Sequence, residues 1–277
     1  MKSLFLGTST VLFSDGEHSI LIDGFFSRPS LTKILFGKVA PNRARIDEAM
    51  ARAGIERVDA VLVSHSHLDH ALDSPLVAQL ADARLCGSES TRMIARGLAF
   101  DESRFVPLET GVPVVAGAFR VTPVRAVHSN GDRFPGEITE PIVPPAKTAA
   151  YRTGECFDFH IEHPDATALV HPTAGFIPGV LADYPADTIY LGAGAAGHET
   201  EAWRNSYWDE TVVATGASTV LPVHWDRFWR PLSEPLKPLP SKLDNLDATL
   251  ATWMARANAS RIDLRLPKPF VWEQLEV

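Results

Sequence analysis

Residues 61–70 read VLVSHSHLDH. An apolar run stops, and the next positions place His65, His67, Asp69 and His70. An extended segment turns alternate side chains to one face, so His65 and His67 share a side. Asp69 and His70 fall on the turn that follows, where they face a second position close by. Imidazole nitrogens and carboxylate oxygens are donors that a divalent metal takes at about 2.0–2.2 Å. The chain holds only 10 histidines in 277 residues, so this crowding is not background composition. It requires a fold that ends a buried strand at an open edge and gathers further donors there.

The remaining sequence supplies the strands and helices for such a fold. SLFLG, TSTVLFS and HSILID read as short strands, the last two joined by the turn SDGEH. NRARIDEAMARAGI reads as a helix: Asn42 caps it, Ile46, Ala49 and Met50 share a face, and Gly54 stops it. VDAVLVS is a buried strand. DSPLVAQLADA follows as a helix with Ser74 as its N-cap and Pro75 at the first helical position. ARLCG is a strand and SESTRMIARGL a helix. RFVPL, VPVVAG and AFRVTPVRAV are strands again. Residues 129–153 hold four prolines and two glycines without a period. They are expected to form a long loop, and its start beside His128 marks it as a lid. CFDFHIEHP and TALVHP read as a hairpin, DTIYLGAG and STVLPVHW as strands, and EAWRNSYWDETVVATGA as a helix between them. A proline-rich wrap, the helix LDNLDATLATWMARANA and the strands RIDLRLP and PFVWEQL complete the chain. No repeat and no linker divides it, so one layered α/β domain over residues 1–277 is expected.

His128 closes the strand AFRVTPVRAV, and His224 closes STVLPV. Strand ends are where scaffolded folds carry function, and these two histidines complete two three-donor sets. The motif HxHxDH after a buried strand, a later strand-end histidine and LPVHWDRF together resemble the metallo-β-lactamase superfamily. FLGTST…ILIDGFF and ALVHPTAGF add to the resemblance, which runs from residue 3 to about 230. It implies a four-layer αββα sandwich with a metal site at one edge. By that likeness His65, His67 and His128 hold a first metal, and Asp69, His70 and His224 a second. Asp23 is implied to brace the histidine loop. One position departs from the pattern. Many dinuclear members place a bridging aspartate where HPTAGF here has Thr173 or Ala174, so the bridge is missing and second-site occupancy is weakened. His171 stands near enough in sequence to substitute.

Zinc at such a site, with Mn²⁺ or Fe as alternatives, brings the pKa of bound water to about 7. The expected activity is hydrolysis of a small ester, lactone or phosphodiester by metal-bound hydroxide, with Asp69 as the catalytic carboxylate. A mononuclear iron oxidoreductase and a non-catalytic, metal-stabilised interaction domain are the competing readings. Lys147, Tyr151 and Trp225 are candidate substrate contacts, while His160, His163 and His198 are read as ordinary histidines. No GxSxG or GxGxxG element competes. The formal net charge of −8 and the lack of a basic run argue against a nucleic-acid partner. No apolar stretch reaches about 18 residues, so no membrane span is expected. The N-terminal residues lack the form of a leader, which points to the cytoplasm. Cys86 and Cys156 are expected as buried free thiols.

Overall fold

The computed structural model describes residues 1–276. Two seven-stranded sheets lie face to face. The first is built in chain order from β1 (Lys2–Phe5), β2 (Val11–Ser14), β3 (Ser19–Ile22), β4 (Ala60–Leu62), β5 (Arg84–Gly87) and β6 (Phe105–Pro107), with β14 (Trp272–Gln274) added beside β1. The second runs β7 (Val114–Ala116), β8 (Phe119–Ala126), β9 (Cys156–His163), β10 (Ala166–His171), β11 (Thr188–Gly192), β12 (Thr219–Val223) and β13 (Asp263–Leu264). In each sheet antiparallel pairing gives way to parallel pairing, at β3–β4 and at β10–β11.

Period-two alternation explains how one sheet buries both faces. Phe5, Val11, Phe13, Ile20, Ile22 and Leu62 enter the layer between the sheets. Their neighbours Leu4, Leu12, Leu21 and Val61 enter a second core. That core is closed by the helices α2 (Arg43–Ala53), α4 (Ser74–Leu80) and α5 (Glu89–Gly97). On the second sheet's side, α6 (Glu201–Trp208) and α7 (Leu246–Ser260) bring Trp208 and Trp253 together, ring centroids 6.2 Å apart. This is the expected αββα layering.

Local chemistry sets the element ends. Asn42 caps α2 by accepting from the Arg45 N–H at 3.2 Å, and Gly54 ends it at φ 68°, the left-handed region. The expected cap of α4 is corrected. Asp73 occupies the N-cap position and Ser74 is the first helical residue, its hydroxyl donating to the carbonyls of Asp23 and His70 instead. Two short helices escape the sequence pattern: α1 (Leu31–Phe36), which buries no side chain, and α3 (Leu68–Ala71), which carries Asp69 and His70.

Residues 129–153 are strapped to the body along their length. Ile138 N–H donates to Ser90 Oγ at 3.0 Å, Ile142 N–H to Met93 O at 3.2 Å, and Ala146 and Val39 exchange backbone bonds at 2.7 and 3.0 Å. These bonds anchor the segment to the body. Among the described residues no helix is long and apolar enough to cross a membrane.

Candidate metal centre

β8, β10, β11 and β12 run in one direction, so their C-terminal ends share an edge of the second sheet. His128 follows β8, Thr173 follows β10, Gly194 follows β11 and His224 follows β12. The loop after β4 brings His65 and His67 to the same edge, with α3 supplying Asp69 and His70. Two glycines permit the approach. A Cβ on Gly175 would lie 2.4 Å from the Val127 carbonyl oxygen and 2.6 Å from that of His128. One on Gly194 would lie 2.8 Å from His224 Nδ1.

The six side chains gather into two sets, His65–His67–His128 and Asp69–His70–His224, with the donor atoms of each set within 4.8 Å of one another. The sets are adjacent, the rings of His65 and His70 lying 3.8 Å apart. In the second set, His70 Nε2 lies 3.1 Å from His224 Nε2 and 3.8 Å from Asp69 Oδ2, and His224 Nε2 lies 3.2 Å from Asp69 Oδ2. Tetrahedral ligands at about 2.0–2.1 Å from zinc sit about 3.3 Å from each other, so the spacing fits such an ion.

Neighbours engage one ring nitrogen of His65, His67, His70 and His128 and leave the other for the cluster. His70 Nδ1 lies 2.7 Å from Asp23 Oδ2 and donates there, which leaves Nε2 as the lone-pair donor. Asp23 is fixed in turn by the Ser64 N–H at 2.8 Å and by the hydroxyl of Ser9. His128 Nδ1 is held by the Ser129 carbonyl at 3.0 Å. His67 Nε2 meets Thr153 Oγ1 at 3.1 Å and Asp132 Oδ1 at 3.3 Å. His65 Nε2 is buried and has no partner. An orphaned imidazole nitrogen beside two further donors is what a metal would satisfy.

The electrostatics follow the same division. Burial first, and then the surrounding imidazoles, push His65 well below the ordinary histidine value. Burial and His67 take His128 to about 4. Burial also lowers His67, against the pull of Asp69 and Asp132. The first set is therefore neutral and ready to ligate. Burial acts to raise Asp69, but His70 and the hydrogen bond from His224 outweigh it and hold the carboxyl far below its ordinary range. His224 is raised: burial lowers it, and the Asp69 carboxylate more than reverses this.

The other expected site residues fall in different places. Thr173 stands at the edge, its hydroxyl accepting the Ser129 N–H at 3.1 Å, so it steadies the His128 turn. His171 is buried against Asp158 at 2.8 Å and belongs to neither set. Trp225 follows His224 but turns inward, 7% exposed. Tyr151 is fully buried in the core of the first sheet, and Lys147 is exposed on the strap between Ala146 and Thr148, which bond to Val39 and Ile34. Neither is brought to the clusters, because the strap carries them toward α1. Asp132 and Thr153, which sequence reasoning missed, sit at the two ends of the strap and meet at His67 through a Thr153–Asp132 hydrogen bond. The closeness of Asp132 to His128 in sequence was the available signal. Thr153 offered none. Beside His128 opens a cavity of about 530 Å³, lined by Arg125, Asp132, Thr153, Cys156 and Phe157 among others. Burial raises the Cys156 thiol to about 12, so it is not a nucleophile there.

Residues 18–225 match the family model of the beta-lactamase superfamily domain. The chain belongs to the beta-lactamase superfamily. It is a metal-dependent hydrolase of the metallo-β-lactamase fold. It is similar to the UPF0173 metal-dependent hydrolase of Methylobacterium nodulans, 30% identical over 201 residues that cover 71% of this superfamily member and 77% of that protein. Among solved structures it is similar to isothiocyanate hydrolase from Delia radicum gut bacteria, with a TM-score of 0.61, 13% identity and all of both chains covered. It is also similar to CmlA, a diiron β-hydroxylase from Streptomyces venezuelae, with a TM-score of 0.61 and 15% identity over 100% of this chain and 54% of that one. At such identities the structural likeness shows the fold alone.

Proposed function

We propose that this superfamily member is a dinuclear zinc hydrolase of a small ester, lactone or phosphodiester. The observation that supports it most is the pairing of two complete three-donor sets side by side. One-metal chemistry has no use for the second set. Bound there, zinc lowers the pKa of water to about 7 and polarises the oxygen under attack.

The chain's own residues supply orientation. Asp69, kept ionised by His70 and His224, is the acceptor that orients the attacking water through Oδ2. Asp23 and Ser129 fix ring tautomers at His70 and His128. Thr173 brings no charge where a bridging carboxylate would offset two dications, so the second set fills after the first. The cavity beside His128 is of the size that takes small ligands.

The test is turnover of 4-nitrophenyl acetate, γ-butyrolactone and bis(4-nitrophenyl) phosphate by zinc-reconstituted protein. At least one is cleaved, chelation abolishes the activity, and Asp69→Ala lowers kcat by about 10²–10⁴-fold. Failure on all three, with bound iron and oxygen uptake, overturns the reading in favour of the oxidoreductase. The related CmlA is by name a diiron enzyme, which makes metal identity part of the same test.

A further inference from the structure

The helix α1, sequence LTKILF, buries none of its side chains. Leu31 is 37% exposed, Leu35 49% and Phe36 85%. Ile34 alone packs, partly buried, against the core; the exposed apolar residues gain nothing in water, and such a patch marks a surface that meets something else. The patch continues onto the strap. Ala146 pairs with Val39, Thr148 Oγ1 donates to Ile34 O at 2.8 Å, and Val143 is 70% exposed.

Charge says what meets it. The chain has 34 acidic residues among 277 and a net charge of −8. Yet residues 24–46 and 141–154 contain no aspartate or glutamate. Lys33, Lys38 and Lys147 are exposed within these two stretches. Glu137 and Glu140 line a cavity together with Arg152, Val143 and Ala146, so the acidic residues border Val143 and the basic character belongs to α1 and Lys147. A second copy of the chain is a poor occupant, because a two-fold contact would set this lysine rim against itself.

We propose that α1 and the adjoining strap form a docking face for an anionic lipid bilayer. Phe36, Leu35 and Leu31 enter the headgroup–acyl boundary, and Lys33, Lys38 and Lys147 meet the anionic headgroups. The strap that borders this face ends at Asp132 and Thr153, which hold His67. The proposal does not depend on the hydrolase reading, since the docking residues are not metal donors.

The test is co-sedimentation of the full chain, with and without chelator, on vesicles of phosphatidylcholine alone or mixed with phosphatidylglycerol. Binding is expected on the mixed vesicles, weakened by salt and indifferent to chelator. Reversing the charge at Lys33 or Lys147 weakens it by about fivefold or more per lysine. Leu35→Ser with Phe36→Ser abolishes it without changing the thermal midpoint, because both side chains are exposed. No pelleting with mixed vesicles overturns the proposal. So does binding that survives the double serine variant, or a solution dimer that the same variant dissociates, which would assign the face to a second copy.

Discussion

Arg28 and Asp226 form an ion pair with no exposed surface on either side chain, Nη1 to Oδ2 at 2.6 Å. The pair closes a circuit around His224. Asp226 Oδ1 accepts the Thr8 N–H at 2.7 Å, Arg28 Nη2 donates to Thr8 Oγ1 at 3.0 Å, and Thr8 O accepts the His224 N–H at 2.6 Å. His224 is held at φ 58°, Thr8 at 53° and Arg28 at 42°. Left-handed backbone at a non-glycine residue costs energy and persists only where the surroundings impose it. The ion pair is the imposing element, and it aims His224 at Asp69 and His70.

Asp226→Asn should thus be destabilising by about 3–5 kcal/mol, because it leaves the Arg28 charge buried without a partner. Pairing it with Arg28→Met should recover much of that loss. Metal bound by the second set should stay weak in both variants, since the circuit that orients His224 is broken. Calorimetric unfolding and metal titration check the two halves. Full second-site affinity in the stable double variant would show that the clamp does not position His224.

Removing single donors should separate the two sets. His224→Ala should leave one metal per chain, held by His65, His67 and His128. Asp23→Asn should retain both but weaken the second by about 10–100-fold, because His70 loses the carboxylate that orients it. Equilibrium dialysis of each variant measures this. Equal loss at both sets would indicate one shared site.

The metal-free protein should lose stability as pH falls from about 6.5. The unfolded histidines take up protons near 6.5, whereas burial and neighbouring imidazoles keep His65, His67 and His128 lower in the folded chain, His128 at about 4. The folded state then binds fewer protons than the unfolded state through this window, so stability decreases with acidification. His224, raised by Asp69, has the opposite sign. Its contribution is complete below the unfolded value and is lost as pH rises through the folded one. Asp73, raised by burial to about 6, also takes up a proton in the folded state within this window and so acts with His224; three lowered rings outweigh these two groups, so Tm of chelated protein should fall between about pH 7 and about pH 5. A rise would contradict the neutral first set.

Tyr151→Phe should leave turnover unchanged. The Tyr151 hydroxyl is buried without a partner, and removing such a group costs less than about 1 kcal/mol or stabilises slightly. A large rise in KM would return Tyr151 to the substrate side.

Strands were legible where every second residue enters a packed layer, as in VLFS and SILI. The two candidate donor sets were legible because HSHLDH is dense and His128 and His224 each close an apolar strand. Ser74 looked like a cap because hydroxyls favour that position, but Asp23 O and His70 O, one of them 51 residues away, recruited it. Tyr151 and Lys147 looked available because their segment is rich in proline. Its anchoring bonds to Ser90, Met93 and Val39 join distant positions that no local pattern reveals. Helix α1 sets only Ile34 against the core, so it leaves no periodicity to read.

The most direct measurement is the metal content of the purified, zinc-reconstituted protein by elemental mass spectrometry. Two zinc per chain, one for each donor set, is the expected result. A single iron, or no metal retained at all, would contradict the dinuclear zinc centre.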